Sequence, residues 1–167
     1  LLANARRGVV LADGITVALV GAPNVGKSSL LNALAGDEVA IVTEIAGTTR
    51  DRIEHWTAFD GIPLRIVDTA GMRETNDIVE QKGIERTLKA ISEADIVLHL
   101  VDASGRIPDD EALLTRVREY ARPGTPLLIV ANKIDSISLE RRNEYCDDAS
   151  IVPISAKTHE GLEALKA

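Results

Sequence analysis

The octapeptide GAPNVGKS at residues 21–28 is the strongest indication of the fold of this chain. It matches the pattern G-x-x-x-x-G-K-S/T, in which small residues let the backbone wrap around phosphate oxygens. Lys27 supplies positive charge to the β- and γ-phosphates, and Ser28 offers a hydroxyl to Mg²⁺. An apolar run, ITVALV, precedes the motif at 15–20, and a helical stretch follows it at 28–34. The strand and the helix that a phosphate loop requires are therefore both predicted.

Further apolar runs alternate with helical stretches along the chain. The runs at 96–101 and 127–131 are continuous and bounded by polar residues, which is typical of strands buried on both faces of a parallel sheet. Strands at 53–59 and 64–67 flank Asp60-Gly61, a hairpin turn signal that adds one antiparallel pair. The remaining predicted elements are helices over 83–94, 109–120 and 161–167, a helix start at 139–142 and a last strand over 151–154. We predict a mostly parallel six-stranded α/β sheet with one antiparallel edge strand and helices on both faces.

Two more segments suit the phosphate side of a nucleotide site. Asp68-Thr69-Ala70-Gly71 follows a predicted strand, where the acid can hold Mg²⁺ through a water and Gly71 lets the backbone approach a γ-phosphate. Thr48-Thr49 lies between a helix and a strand, where a hydroxyl can complete the Mg²⁺ shell. Taken alone, the first segment is equally a strand-end turn and the second a surface loop.

A base-recognition motif, NKID, follows the predicted strand at 127–131. The Asp135 carboxylate can accept from the ring N–H and the exocyclic amine of guanine together, a donor pair that adenine lacks. The stem of Lys133 can lie along the base, and Asn132 can tie this loop to the phosphate loop. After the next strand, Ser155-Ala156-Lys157 can supply a backbone N–H to the guanine oxygen. In isolation both segments are ordinary polar turns, and their order after successive strands is what favours a GTP site.

These four elements, in this order, resemble the Ras-like GTPase superfamily. Three features make the resemblance more specific: Asn24 in the phosphate loop, AIVTEIAGTTRD at 40–51, and DTAGMRETNDIVEQKGIER at 68–86. They are similar to the G domains of the MnmE (TrmE) family. The resemblance implies a G domain over 14–167 with a truncated C-terminal helix. It also implies that 1–13 is a remnant of the helical domain into which that G domain is inserted.

The resemblance implies GTP hydrolysis that is stimulated by K⁺ and activated when two G domains dimerise. Arg50, Asp51 and Arg73 are available for that contact. In the family, the full protein acts with the flavoprotein MnmG on the wobble uridine of tRNA, through parts that we expect to lie outside this chain. Two alternatives stay open: a ribosome-assembly GTPase of the Der (EngA) type, which shares GTTRD at 47–51, and a guanine-nucleotide switch whose hydrolysis only resets it. The segment 72–86 favours the MnmE family.

The resemblance also assigns roles to individual residues. Mg²⁺ ligands are Ser28 and Thr49, with Asp68 acting through water, and the K⁺ ligands are Asn24, Thr43, Ile45 and Thr48. Glu80 matches the acid that positions the attacking water, and a physical motive supports it, because Met72 occupies the place where Ras-type enzymes carry a water-orienting glutamine. The full set expected to contact GTP comprises Asn24, Val25, Gly26, Lys27, Ser28, Ser29, Thr43, Glu44, Ile45, Ala46, Gly47, Thr48, Thr49, Asp68, Thr69, Ala70, Gly71, Asn132, Lys133, Asp135, Ser155, Ala156 and Lys157.

Composition narrows the remaining possibilities. The chain of 167 residues has a formal net charge of −7, which argues against a broad nucleic-acid-binding surface. A single cysteine, Cys146, excludes a disulfide within the chain, so we expect a cytoplasmic location. No apolar run approaches the roughly 20 residues of a membrane span, and we expect no membrane partner. Aromatic residues make up 2% of the chain, so its core must be aliphatic.

Overall fold

The computed structural model describes residues 14–35, 54–59, 62–68, 78–105 and 111–166. In this part of the chain six strands form one sheet in the order β2-β3-β1-β4-β5-β6. Five of them run parallel, and β2 pairs antiparallel with β3. The strands are β1 (Ile15–Val20), β2 (Glu54–Phe59), β3 (Ile62–Asp68), β4 (Ile96–Asp102), β5 (Leu127–Asn132) and β6 (Ile151–Pro153). The α/β class expected from the sequence is confirmed.

Helices connect the parallel strands. They are α1 (Lys27–Ala35), α2 (Ile78–Glu93), α3 (Glu111–Tyr120), α4 (Leu139–Asp147) and α5 (Leu162–Lys166). The predicted start of α2 at Gly83 was wrong, because the helix begins five residues earlier and Gly83 lies inside it. A glycine within a helix costs about 1 kcal/mol relative to alanine, which weakens a helix without ending it. The last strand ends at Pro153 rather than at residue 154.

The core lies on both faces of the sheet. Along β1, Ile15 and Leu19 pack with Leu30 of α1 on one face. Ala18 and Val20 point to the other face, where they pack with α2 and α3 side chains. Because successive strand residues alternate, this single strand buries both of its sides. The core clusters are dominated by Val, Ile, Leu and Ala, in agreement with the predicted aliphatic core.

The carboxyl ends of the parallel strands position the site. The phosphate loop follows β1. Because β4, β5 and β6 run parallel to β1, their carboxyl ends lie at the same end of the sheet as this loop. Asp68 ends β3 and pairs in register with Leu19 of β1, so it lies beside the start of the phosphate loop. Within the described ranges, none of the helices combines the length and the apolarity needed to cross a membrane.

Candidate functional site

The phosphate loop, residues 21–28, turns from β1 into α1 through a glycine, Gly26, at which a larger residue would be strained. Gly26 has a φ of 99°, and a Cβ there would collide with the side-chain nitrogen of Asn132. Asn24 adopts the left-handed region, with a φ of 66°. The Lys27 ammonium donates to the carbonyls of Gly21 at 2.9 Å and Ala22 at 3.1 Å, which holds its charge inside the loop.

Asn132 ties three segments of the chain together. Its side-chain nitrogen donates to the Val25 carbonyl at 2.8 Å, and its side-chain oxygen accepts from the Ala156 backbone N–H at 3.0 Å. The residue is only 2% exposed, so each of these bonds satisfies a group that water does not reach freely. The prediction that Asn132 joins its loop to the phosphate loop is confirmed. The link to Ala156 was not predicted.

The loop after β6 orients the Asp135 carboxylate. Ser155 is fully buried, and its hydroxyl donates to Asp135 Oδ1 at 2.7 Å while it accepts from the Thr158 backbone N–H at 3.1 Å. The hydrogen bond from Ser155 lowers the pKa of the Asp135 carboxyl below its ordinary value of 3.8, with a smaller contribution from the charge of Lys157. Asp135 is therefore ionised at neutral pH and remains a pure hydrogen-bond acceptor.

Lys133 links the base side of the site to the phosphate loop. Its backbone is left-handed, with φ 67° and ψ 33°. Its ammonium donates to the Asn24 carbonyl at 2.7 Å and to Asp102 Oδ2 at 2.6 Å. Partial burial raises the pKa of Asp102, but hydrogen bonds from Lys133 and Ser104 outweigh it, so the pKa lies below 3.8. Sequence reasoning missed Asp102, although an acid directly after an apolar strand was the signal that identified Asp68.

The remaining predicted residues divide into three groups. Asn24, Ser28 and Ser29 are exposed at the phosphate loop, and Val25 is buried beneath it. Asp68 ends β3, and Glu80 lies in the first turn of α2. The following lie outside the described residues: Thr43, Glu44, Ile45, Ala46, Gly47, Thr48, Thr49, Arg50, Asp51, Thr69, Ala70, Gly71, Met72 and Arg73.

Oxygen groups at the phosphate loop have the chemistry that Mg²⁺ prefers. Ser28 presents a hydroxyl at the start of α1, and Asp68 ends the neighbouring strand. Among the described residues no group of three or more His, Cys, Asp or Glu side chains could hold a metal by itself. A serine hydroxyl and an acid at the end of the neighbouring strand fit Mg²⁺, which is commonly held by one or two protein oxygens together with substrate phosphates.

Taken together, the phosphate loop, the ionised Asp135 and the strand-end geometry define a P-loop GTPase domain. Residues 16–133 match the sequence pattern of the family described as 50S ribosome-binding GTPase, and the chain belongs to that family. It is a GTPase, and it binds and hydrolyses GTP.

Curated relatives extend the similarity over the whole chain. The chain is 51% identical over 172 residues to the tRNA modification GTPase MnmE of Ralstonia nicotianae, and 51% identical over 168 residues to that of Nitrosomonas europaea. All of the chain is covered in both cases, but only 36% of each relative. The predicted resemblance to the MnmE G domain is therefore confirmed, and the chain spans about a third of the length of these relatives.

Solved structures of other GTPases share the fold. Era of Aquifex aeolicus has a TM-score of 0.69 at 34% identity, covering 90% of this chain and 54% of that one. The G domain of the T. maritima FeoB iron transporter has a TM-score of 0.65 at 29% identity, covering 91% of this chain and 94% of that one. The Ras-like fold predicted from the motifs is confirmed by these similarities.

Proposed function

We propose that this chain, over 14–167, is the G domain of a GTPase that serves the modification of the tRNA wobble uridine, with hydrolysis stimulated by K⁺ and by dimerisation of G domains. One observation carries the nucleotide part of this proposal. Asn132 and Lys133 both donate from the base-recognition motif to carbonyls of the phosphate loop, so the motif that holds the ionised Asp135 is joined directly to that loop. Similarity to MnmE over the whole chain supports the tRNA part.

Guanine recognition rests on Asp135 in this proposal. Its carboxylate accepts from the ring N–H and the amine of guanine, while the 155–157 segment offers a backbone N–H to the guanine oxygen. Because the Ala156 N–H already donates to Asn132, we assign that donor to the Lys157 backbone N–H. The remaining contacts that we propose for GTP are those expected from the sequence.

Hydrolysis uses the phosphate end of the pocket. Ser28 and Thr49 would hold Mg²⁺, with Asp68 acting through water, and Asn24, Thr43, Ile45 and Thr48 would hold K⁺. Both ions supply positive charge to the phosphate oxygens. Glu80 orients the attacking water, a role that Met72 cannot fill. The exposed position of Asn24 within the phosphate loop supports its assignment as a K⁺ ligand.

Partners follow from the names of the relatives and from the family resemblance. We propose that two copies of this domain meet across their nucleotides and that the whole protein works with tRNA and an MnmG flavoprotein. The residues available for the contact between copies are Arg50, Asp51 and Arg73.

The potassium dependence of GTP turnover tests the proposal. We expect the rate to rise strongly in K⁺ relative to Na⁺ at matched ionic strength. Replacing Asn24 by alanine should remove that increase but leave GDP binding intact, because the phosphate loop binds GDP through its backbone and Lys27. Asn143→Ala, at an exposed position on α4, is the matched control and should keep the full increase. Equal rates in the two salts would exclude the K⁺ site.

A ribosome-assembly GTPase is the second candidate. The family description and the solved complex of Era with nucleotides 1506–1542 of 16S ribosomal RNA favour it. Binding of the whole protein to ribosomal subunits, with no binding to tRNA, would select this candidate. A GTP turnover that stays slow in K⁺ and with dimerisation would instead favour a guanine-nucleotide switch.

A further inference from the structure

We propose that Asp102 is a positioning residue for guanine binding: its carboxylate holds the Lys133 ammonium against the phosphate loop, so that the Lys133 stem forms a fixed wall of the base pocket. This inference rests on the proposed role of residues 132–135 in base recognition. It adds a residue from β4, a strand that none of the recognised motifs includes.

The Lys133 ammonium group lies between β4 and the phosphate loop. Lys133 Nζ lies 2.6 Å from Asp102 Oδ2 and 2.7 Å from the Asn24 carbonyl oxygen, so it is shared between β4 and the phosphate loop. The two side chains are 36% and 27% exposed, which places the ion pair in a partly shielded position. A shielded, charge-assisted hydrogen bond is stronger than an ion pair in open solvent.

The Asp102 carboxylate is oriented by Ser104, in the turn that follows β4. Asp102 Oδ1 accepts from the Ser104 backbone N–H at 2.9 Å and from the Ser104 hydroxyl at 2.6 Å, which leaves Oδ2 directed at Lys133. The turn that follows β4 is itself anchored to its neighbours. The Ala103 N–H donates to the Asn132 carbonyl at 2.8 Å, and the Tyr145 hydroxyl donates to the Ala103 carbonyl at 3.2 Å.

These contacts restrict the conformation of the Lys133 stem. Both ends of Lys133 are fixed, one by its left-handed backbone and the other by two hydrogen bonds at the ammonium. A free lysine side chain loses considerable rotamer freedom when it packs against a ligand. Here Asp102 orders the stem within the protein, so guanine meets a surface that is already in place.

The test measures GDP affinity of the full chain after Asp102→Asn. We expect a weakening of about tenfold, typical of the loss of one shielded charge-assisted hydrogen bond. Affinity for IDP should weaken by the same factor, because a stem that contacts the face of the base does not sense the exocyclic amine. Asp95→Asn is the matched control. Asp95 also borders β4 and also accepts from a cation, Arg122, but it lies at the opposite end of the strand, and its replacement should leave GDP affinity unchanged.

A second variant separates positioning from loss of structure. Lys133→Met keeps the apolar stem but removes the ammonium, and in this background Asp102→Asn should have no further effect on GDP affinity. A full tenfold loss in the Lys133→Met background, or no loss in the unchanged chain, would overturn the inference. If the unchanged chain binds GDP no better than ADP, the base-recognition proposal itself fails and takes this inference with it. If the unchanged chain prefers GDP to ADP but Asp102→Asn leaves GDP affinity unchanged, only the proposed role of Asp102 fails.

Discussion

Buried polar side chains tie the segments after β5 and β6 to neighbouring parts of the chain, whereas the turn from β1 into α1 exposes three of its polar side chains. Asn132 and Ser155 are buried and bonded to neighbouring loops. Asn24, Ser28 and Ser29 are exposed. The base side of the site is therefore held in place by contacts within the chain, and the phosphate side exposes groups that are accessible to a ligand.

This difference matches the two kinds of recognition. Guanine differs from adenine in a few hydrogen-bonding groups, so its acceptor must be fixed in place to discriminate. Phosphates carry several charges and many acceptor oxygens, and an exposed set of donors with one lysine suits them. Substitutions on one side should therefore show how strongly the other side depends on it.

Substitution of Gly26 should have the largest effect, because this glycine lies where the two sides meet. Gly26→Ala adds a Cβ that collides with the Asn132 amide and forces an unfavourable φ of 99°. We expect a loss of about 2–4 kcal/mol in the free energy of unfolding, together with loss of GDP binding. Chemical denaturation and GDP titration measure the two effects.

Gly124→Ala provides the control for that experiment. Gly124 also has a positive φ, 86°, but a Cβ there meets nothing within 4 Å. Only the backbone cost of about 1–2 kcal/mol should appear, with GDP binding intact. If the two variants unfold alike and both bind GDP, the close approach of Gly26 to Asn132 has no functional weight.

Asn132→Ala should have the next largest effect. It leaves the Val25 carbonyl and the Ala156 N–H without their partner in a buried place. We expect a loss of about 2–3 kcal/mol in the free energy of unfolding and weaker GDP binding. Asn143→Ala, on the exposed surface of α4, should change stability by less than about 0.5 kcal/mol. Equal stability of the two variants would mean that the hydrogen bonds of Asn132 to Val25 and Ala156 do not stabilise the fold.

Ser155→Ala should have the smallest effect, confined to the base side. Because Ser155 lowers the pKa of Asp135 in the folded chain, the ionised acid stabilises the fold above pH 3.8, and this stabilisation is lost as the pH falls through the lowered pKa. The variant should bring the Asp135 pKa back toward 3.8, and its stability should depend less on pH in that acid range. A carboxyl NMR titration follows the shift.

The control uses a similar pair on the other side of β6. Ser150 also donates to an acid, Asp148, and lowers the pKa of that carboxyl. Ser150→Ala should raise the Asp148 pKa and leave that of Asp135 in place. An Asp135 pKa that is insensitive to Ser155→Ala would show that the hydroxyl does not set the charge of this acid.

Sequence reasoning identified most of the fold and the base-side loops because both depend on local patterns. Apolar runs ending in a motif marked the ends of β1 and β5. The contact of Asn132 with the phosphate loop could also be predicted from the motif alone. The start of α2 was misplaced because the predicted helix began at Gly83, whereas the helix continues through this glycine to Ile78.

The contacts of Asp102 could not be predicted, because they depend on which strands are neighbours. Asp102 and Lys133 are 31 residues apart and meet only because β4 lies beside β5 in the sheet. The link between Asn132 and Ala156 has the same origin, since it requires β6 to follow β5 at the edge. Motif spacing predicts which strand ends carry polar residues but not how these residues share hydrogen bonds.

Exchange of the Asp135 carboxylate for an amide tests guanine recognition most directly. Asp135→Asn should weaken GDP binding at least about 100-fold, because the guanine ring N–H and amine lose a common charged acceptor. Binding of XDP should strengthen, because xanthine has an oxygen where guanine has its amine, and the new amide can donate to it. GDP affinity that stays within about twofold of the unchanged chain, with no gain for XDP, would contradict the assignment of Asp135 as the residue that selects guanine.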